Sequence, residues 1–300
     1  MAALSGKKRS MMICGILFAV ILSIPGCGWI NNRWSSTQPG EDSNTIVQPE
    51  TSPSILLPNV HLAFGNPSNA VMDAANSENY LVVGEGSAFS FNNSRGTINW
   101  ISWKTTRADL ADSLPRPNFR PDPRLPAHFQ RIGYYDYSGS GYDRGHMVPS
   151  ADRFANAKLN EETFMMTNIV PQTGALNQFP WEKLESYARS QARRGSDVYT
   201  IAGVYGRKGV LKGKVVVPTN CWKIIILLPR GLSVDKIDRR TRIIAVDMPN
   251  IGGIENDRWE NYKTTIRDIE EKTGYDFFGS MTRDLQNTIE TRMEMSNPKP

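Results

Sequence analysis

The chain has 300 residues, of which 39% are hydrophobic and 9% aromatic, so it can bury a substantial core and is not a wholly disordered protein. Its 24 glycines follow no fixed period and its 3 cysteines are too few to staple a small fold, which excludes collagen-like and disulfide-rich classes. The formal net charge of +5 suggests an anionic partner, but that charge is unevenly distributed along the chain.

The first 27 residues have the pattern of a secretory signal peptide. Basic residues at 7–9 precede an apolar stretch at 11–24, and this stretch is shorter than the ~20 residues of a helix that crosses a bilayer. Without this segment the chain has 32 basic and 30 acidic residues, a net charge of only +2. We therefore expect a secreted or extracytoplasmic protein whose bulk charge says little about nucleic acid.

The end of this segment allows two interpretations. Cys27 follows Pro25 and Gly26, and a small residue before a cysteine is typical of a bacterial lipoprotein signal, in which Cys27 would be lipidated. Pro25 is atypical of such signals, so simple secretion or a retained anchor stays equally open. The membrane is expected as a partner only through a signal anchor or a lipidated Cys27.

Two composition regimes follow the signal. Residues 28–60 are rich in Asn, Ser, Thr, Pro and Gly, which predicts a flexible polar linker because such a segment cannot bury enough apolar area to offset its ordering entropy. Residues 61–300 have a globular composition without an obvious internal linker. We expect one domain there.

Short apolar runs predict β-strands, and longer amphipathic stretches predict helices. The strands are expected at 80–83, 88–91, 99–103, 198–202, 223–228 and 242–246, and the helices at 181–194, 259–272 and 282–293. Gly195 and Gly274 stand where left-handed helix caps are needed, and Trp100 and Trp103 are expected in the core, on one strand face. Because the strands cluster like hairpins and the helices are inserted irregularly, the pattern predicts an α+β fold with a mainly antiparallel central sheet and flanking helices.

One of the three histidines has a distinctive setting. His146 belongs to the motif DRGHM at 143–147, which directly follows the turn-rich segment YSGSG at 137–141. Arginines precede this motif and polar helical residues follow it. His61 and His128 lack such neighbouring arginines and polar helical residues in the sequence, so we expect them to be structural or surface residues.

A group of residues spaced by four follows the motif. An α-helix brings Asn177, Trp181 and Glu185 to one face. Because proline is tolerated only in the first helical turn, Pro180 predicts a helix that begins near Asn177, with Asn177 as its N-cap. The amide oxygen of Asn177, with a nearby carboxylate acting through water, would suit Mg²⁺, which prefers oxygen ligands. Ordinary amphipathic packing is the alternative interpretation.

The ordered set of motifs resembles the DNA/RNA non-specific endonuclease family, which has the ββα-metal fold. The set comprises DRGH at 143–146, TNIVPQ at 167–172, and Asn177 with Trp181 and the LE pair at 184–185. The similarity spans nearly the whole globular part, from HLAFGNP at 61–67 to TGYDF at 273–277.

The resemblance implies a role for each matching residue. His146 matches the general base that takes a proton from the attacking water, and Asn177 matches the single protein ligand of a hydrated Mg²⁺. Glu185 matches the acidic residue that holds the waters of that metal. Arg116 matches the arginine that stabilises charge on the phosphate, and Arg120 is the alternative for this role.

Asp143 and Arg144 match positions of structural support and of contact with phosphate or substrate. The family implies hydrolysis of DNA and RNA with little sequence preference, 5′-phosphate products, Mg²⁺ as cofactor with Mn²⁺ as a substitute, and an inhibitor protein as a further partner. The chemistry agrees, since cleavage of an anionic phosphodiester needs a base and fixed positive charge. A histidine with its ordinary pKa of about 6.5 is neutral and basic near pH 7.

Two rival functions fit the same residues. The first is a surface-tethered nucleic-acid-binding protein that is catalytically silent, and the second is a metallohydrolase of small phosphodiesters. Basic residues outside the motifs are either solvated or in contact with a nucleic-acid backbone, namely Arg189, Arg193, Arg194, Arg207, Lys208, Lys212 and Lys214.

Overall fold

A computed structural model describes residues 59–294 of the chain. The predicted signal peptide, Cys27 and nearly all of the predicted linker lie outside the described residues, as do residues 295–300. Among the described helices, none is both long enough and apolar enough to cross a membrane.

The β-strands of the described part are β1 Tyr80–Val83, β2 Ala88–Asn92, β3 Thr97–Thr105, β4 Asp143–His146, β5 Ile169–Gln172, β6 Ser196–Tyr205, β7 Gly209–Leu211, β8 Val215–Val217, β9 Asn220–Pro229, β10 Arg242–Pro249 and β11 Lys263–Thr264. The α-helices are α1 Ala157–Glu162, α2 Gly174–Leu176, α3 Glu182–Arg193, α4 Ile266–Thr273 and α5 Arg283–Glu290. A π-helical turn, Asn177–Trp181, joins α2 to α3. Short 3₁₀ segments lie at Val60–Leu62, Ser77–Asn79, Arg107–Asp109, Tyr134–Tyr137, Ser150–Arg153, Met166–Asn168, Val234–Lys236 and Trp259–Tyr262.

A seven-stranded sheet forms the centre of the fold. Its strand order is β1-β2-β3-β6-β9-β10-β11, and every neighbouring pair is antiparallel. Two separate hairpins, β4 with β5 and β7 with β8, are also antiparallel. The prediction of an α+β fold with a mainly antiparallel central sheet and flanking helices is confirmed.

The central sheet has a core on each face. Successive side chains of a strand point to opposite faces, so Ile225 on β9 packs in the cluster that contains Trp181 and Leu184, while Ile224 packs in the cluster that contains Ile269 and others of α4 and α5. The π-helical turn and α3 therefore cover one face of the sheet, and α4 and α5 cover the other face.

The two strand tryptophans are buried as predicted, at 0% exposure for Trp100 and 2% for Trp103. Their expected placement on one face is wrong, because residues three apart on a strand point in opposite directions. Trp100 packs on the face of α4 and α5, and Trp103 packs on the face of α3.

All six predicted strands are present and most are longer than predicted. Gly195 and Gly274 adopt left-handed conformations, with φ of 102° and 74°, and the predicted helices at 181–194 and 282–293 correspond to α3 and α5. The continuous helix predicted at 259–272 is wrong. Thr265 and Asp268 form a capping box that starts α4 at Ile266, because this reciprocal pairing satisfies the first free backbone N–H groups of a helix.

Candidate active site

The candidate histidine lies at the end of a short antiparallel hairpin. His146 of β4 pairs with Ile169 of β5, and Gly145 pairs with Val170. A Cβ atom at Gly145 would lie 1.9 Å from Oε1 of Gln172. Only glycine fits at this place, because the buried side chain of Gln172 occupies the space that any other residue would need.

The helix after the hairpin starts earlier than predicted. Thr173 is the N-cap, and its side chain accepts a hydrogen bond from the Leu176 backbone N–H at 3.2 Å. The predicted N-cap role of Asn177 is therefore wrong. Pro180 lies inside the π-helical turn, and the wider turn tolerates proline because a proline has no N–H to place in the regular hydrogen-bond ladder.

Asp143 fixes the orientation of Asn177. The Asn177 Nδ2 group donates to Asp143 Oδ2 at 2.9 Å, and Gln178 Nε2 donates to the same oxygen at 2.8 Å. Since the amide nitrogen is used in this way, Asn177 presents its Oδ1 atom as a free acceptor among the described residues. Strand β4 and the π-helical turn are thereby held together at the point where a cation ligand was predicted.

The imidazole of His146 lies against two phenylalanine rings. Its ring centroid is 4.9 Å from that of Phe164, edge to face, and 5.5 Å from that of Phe119. Among residues 59–294, the buried Nε2 atom has no hydrogen-bond partner. Burial, and to a lesser degree the positive charge of Arg116, lower the pKa of His146 to about 3. The ring is therefore neutral at pH 7.

The backbone of His146 is tied to the helix. The indole Nε1 of Trp181 donates to the His146 carbonyl oxygen at 3.3 Å, and Trp181 is 1% exposed. Trp181 thus packs beneath the hairpin, and it connects the strand that carries the histidine to the helix that carries Asn177 and Glu185.

The two candidate arginines are placed differently. Arg116 lies over the same two rings as the histidine, 5.6 Å from the centroid of Phe119 and 5.5 Å from that of Phe164, and it has no ion pair within the described part of the chain. Arg120 pairs with Glu161 at 3.4 Å. The structure therefore favours Arg116 as the cation beside the imidazole.

Replacing Arg116 by alanine is expected to lower kcat/KM for DNA cleavage by about 10- to 100-fold, because one hydrogen bond to a charged group contributes about 1.5–3 kcal/mol. Arg120→Ala serves as the matched control and is expected to change the rate little, since its side chain is engaged with Glu161. Initial rates on plasmid DNA measure both variants. A larger loss in Arg120→Ala than in Arg116→Ala would reverse the assignment.

Arg144 is held against the turn that precedes β4. Its guanidinium lies 3.8 Å from the ring centroid of Tyr134, and it donates to the Tyr134 carbonyl at 2.9 Å and to Ser138 Oγ at 3.2 Å. The Phe119 ring lies 5.8 Å from the same guanidinium. One aromatic ring therefore contacts the histidine and both arginines, Arg116 and Arg144.

Glu185 lies on α3 and is largely buried, with 11% of its side chain exposed. Its Oε1 atom is 3.3 Å from Lys223 Nζ. Burial raises the pKa of Glu185 to about 7, and the positive charges of Lys223 and Arg189 oppose that increase. Glu185 thus shares the helix with Asn177, but its nearest charged neighbour is a buried lysine.

Four of the other basic residues singled out in the sequence contact protein groups. Arg189 is buried and pairs with Asp152 and Glu182, each at 3.4 Å, so it packs within the fold. The basic loop of β7 and β8 reaches the turn before β4. Lys212 donates to the Tyr135 carbonyl at 2.6 Å, Lys214 pairs with Asp136 at 3.1 Å, and Lys208 lies 5.4 Å from the ring centroid of Tyr142.

Two residues of the site were missed by sequence reasoning. Phe164, one of the rings that buries His146, lies in a stretch without a recognised motif. Lys223 interrupts the apolar strand sequence CWKIIILL at 221–228, and a lysine in a strand that is buried on both faces is a signal of a paired internal charge.

Comparison with known proteins places most of the described region in one family. The model of the DNA/RNA non-specific endonuclease family matches residues 65–284. A nuclease of Nostoc sp. is 41% identical over 290 residues, which cover 95% of this chain and 100% of that protein. Nuclease C1 of Cunninghamella echinulata is 32% identical and covers 73% of this chain and 88% of its own length.

A solved structure supports the same fold. The EndoG chain in the crystal structure of the EndoG/EndoGI complex superposes with a TM-score of 0.62 and 23% identity, over 75% of this chain and 92% of that chain. At this identity the likeness concerns the fold alone, and it shows the ββα arrangement of β4, β5 and the following helix within a mainly antiparallel protein. By the extent of the family match and the identity to full-length nucleases, the chain belongs to the DNA/RNA non-specific endonuclease family.

Proposed function

We propose that this protein is a Mg²⁺-dependent endonuclease that hydrolyses phosphodiester bonds of DNA and RNA with little sequence preference. The observation that carries the proposal is the neutral imidazole of His146, which shares two aromatic neighbours with the guanidinium of Arg116. That guanidinium has no ion pair among residues 59–294. A base and a fixed positive charge at one place are what attack on an anionic phosphodiester requires.

His146 serves as the general base in this proposal. Its neutral ring accepts a proton from the water that attacks phosphorus, and a positioned base contributes about 10²–10⁴-fold to a rate. Arg116 offers its guanidinium to the non-bridging phosphate oxygens, for which a forked donor is well suited. Its neighbour Phe119 packs against both side chains and keeps them together.

The residues present fit a divalent cation with oxygen ligands. Asn177 offers an amide oxygen whose orientation is fixed by Asp143, and Glu185 offers a carboxylate that can hold water molecules of a hydrated ion. Such a donor set suits Mg²⁺ or Mn²⁺ rather than a soft metal. When bound, the cation would stabilise the negative charge that develops on the leaving oxygen, which is consistent with 5′-phosphate products.

Low sequence selectivity follows from the same residues. Arg116 and the proposed cation recognise phosphate, and contacts to phosphate and sugar carry no base information. Arg144, stacked on Tyr134 at the edge of the hairpin, is proposed to contact the phosphate or the substrate nearby.

Removal of divalent metal is expected to stop cleavage. With EDTA, the rate on plasmid DNA and on single-stranded RNA should fall by about 10³-fold or more, since a bound metal contributes several kcal/mol to charge stabilisation. Excess MgCl₂ or MnCl₂ should restore the rate. Full activity in EDTA would contradict the proposal, and a gel shift without cleavage in either metal would favour the catalytically silent binding protein.

Location and regulation are parts of the same proposal. The basic and apolar pattern of residues 1–27 supports export, and the mature N-terminus, determined by mass spectrometry, decides between cleavage of the signal and lipidation of Cys27. The structural relative was solved as an EndoG/EndoGI complex in a study of its inhibition. We therefore include an inhibitor protein among the partners proposed for this nuclease.

A further inference from the structure

Lys223 is a lysine at the centre of the main sheet. It lies on β9 and is 1% exposed. Cys221 and Ile225 lie two residues before and after Lys223 on the strand, and both pack in the core beneath α3. Residues two apart on a strand point to the same face, so Lys223 also points to this core. Burial of an ammonium group is unfavourable unless it has a charged partner.

The ammonium group of Lys223 contacts two residues of the candidate site. Its Nζ atom is 3.3 Å from Glu185 Oε1 and 4.0 Å from the ring centroid of Trp181. Trp181 in turn donates its indole N–H to the His146 carbonyl. The buried ammonium group therefore contacts two site residues. One is Glu185, which is proposed to hold water molecules of the metal, and the other is Trp181, which hydrogen-bonds the backbone of His146.

The second buried ion pair under α3 is complete without Lys223. Asp152 accepts hydrogen bonds from Trp103 Nε1 at 3.1 Å and from Thr105 Oγ1 at 3.0 Å, and it pairs with Arg189 at 3.4 Å. Glu185, by contrast, has its closest ion pair with Lys223. Among the described residues Lys223 is therefore the ion-pair partner of Glu185, while Arg189 and Asp152 act on the pair only as neighbouring charges.

We propose that Lys223 is a positioning residue of the nuclease site, which holds the Glu185 carboxylate in place for the hydrated cation. This inference rests on the proposed function. Since Lys223 is buried under α3 and lies out of reach of nucleic acid, its effect must pass through Glu185 and through the Trp181 ring. It is expected to govern metal affinity and turnover, but not substrate affinity.

The Lys223→Met variant keeps the length of the side chain and removes its charge. We expect it to raise the Kd for Mn²⁺ about tenfold, because residues that orient metal-bound groups typically affect affinity by about 10–100-fold. Electron paramagnetic resonance of free Mn²⁺ measures this Kd on the full chain without nucleic acid. In cleavage assays kcat should fall by about the same factor, with an unchanged KM for DNA.

Lys263 supplies a matched control. Its side chain is 8% exposed, pairs with Glu294 at 2.7 Å and lies 5.4 Å from the ring centroid of Trp259. Lys263→Met therefore removes another buried lysine that adjoins a tryptophan and a glutamate, but its tryptophan and glutamate are not the site residues Trp181 and Glu185. It should leave the Mn²⁺ affinity unchanged, and an equal loss in both variants would overturn the inference.

A double-mutant cycle separates positioning from general stability. In the Glu185→Gln background, Lys223→Met should change the Mn²⁺ Kd by less than about twofold, the error of additive effects. The double variant replaces both charges, which is milder for folding than leaving one charge unpaired. If Lys223→Met alone does not fold, the Mn²⁺ Kd of Glu185→Gln is compared with that of the double variant. A weaker Mn²⁺ affinity in the double variant would refute the positioning role of Lys223.

The outcomes also separate this inference from the proposed function. A wild-type chain that neither binds Mn²⁺ nor cleaves DNA contradicts the proposed function itself. A wild type that does both, together with a folded Lys223→Met variant of unchanged Kd and kcat, contradicts only the role of Lys223.

Discussion

Replacement of His146 by alanine is expected to lower the kcat of plasmid cleavage by about 10²–10⁴-fold, the usual contribution of a positioned general base. Burial and the charge of Arg116 lower the pKa of His146 to about 3, so the wild-type imidazole is unprotonated at pH 7 and the lone pair of its Nε2 atom is available. The variant should still bind DNA, because Arg116 and Arg144 remain. Initial rates and gel shifts, measured on the same preparations, test both statements.

His128 provides the control for this substitution. It is exposed and packs its ring edge-on against Phe129, with centroids 5.0 Å apart. His128→Ala is expected to retain wild-type cleavage. Retention of full activity by a folded His146→Ala variant would remove the general base from the mechanism.

Replacement of Asn177 by alanine is expected to reduce cleavage by about 10³-fold at limiting Mg²⁺, since charge stabilisation by a bound metal contributes several kcal/mol. The variant loses the amide oxygen proposed as ligand and the hydrogen bond to Asp143. The loss should be smaller at high Mg²⁺ concentration, where mass action offsets weaker binding. Rates measured over a range of Mg²⁺ concentrations show whether the half-saturating concentration increases.

Gln178 separates the two roles of Asn177. Gln178 Nε2 donates to the same Asp143 oxygen at 2.8 Å, but its side chain is not proposed as a ligand. Gln178→Ala is expected to cost less than about tenfold, the effect of one lost hydrogen bond of about 0.5–1.5 kcal/mol. If both substitutions had equal effects and neither shifted the Mg²⁺ dependence, Asn177 would be a structural residue only.

Local sequence patterns located the strands and the candidate site well. The apolar runs gave all six strands because each of them is buried in the central sheet, where hydrophobic pattern determines position. The motifs around His146 and Asn177 located the site correctly because the helix with Asn177 directly follows the hairpin of β4 and β5 in the sequence.

The errors come from interactions that sequence spacing does not encode. The helix start was misplaced because Pro180 is accommodated in a π-helical turn, which a count of 3.6 residues per turn does not anticipate. The choice between the two arginines depended on Glu161, which engages Arg120 across 41 positions of sequence. The role of Lys223 depended on its contact with α3, which only the assembled sheet creates.

One measurement tests the central claim, that a single site with His146 as base and Asn177 as cation ligand cleaves both nucleic acids. Cleavage rates of plasmid DNA and of single-stranded RNA are measured with Mg²⁺ for the wild type, His146→Ala and Asn177→Ala. We expect each substitution to lower both rates by the same factor, so that the ratio of DNA to RNA cleavage stays constant. Loss of cleavage on one substrate with wild-type rates on the other would contradict it.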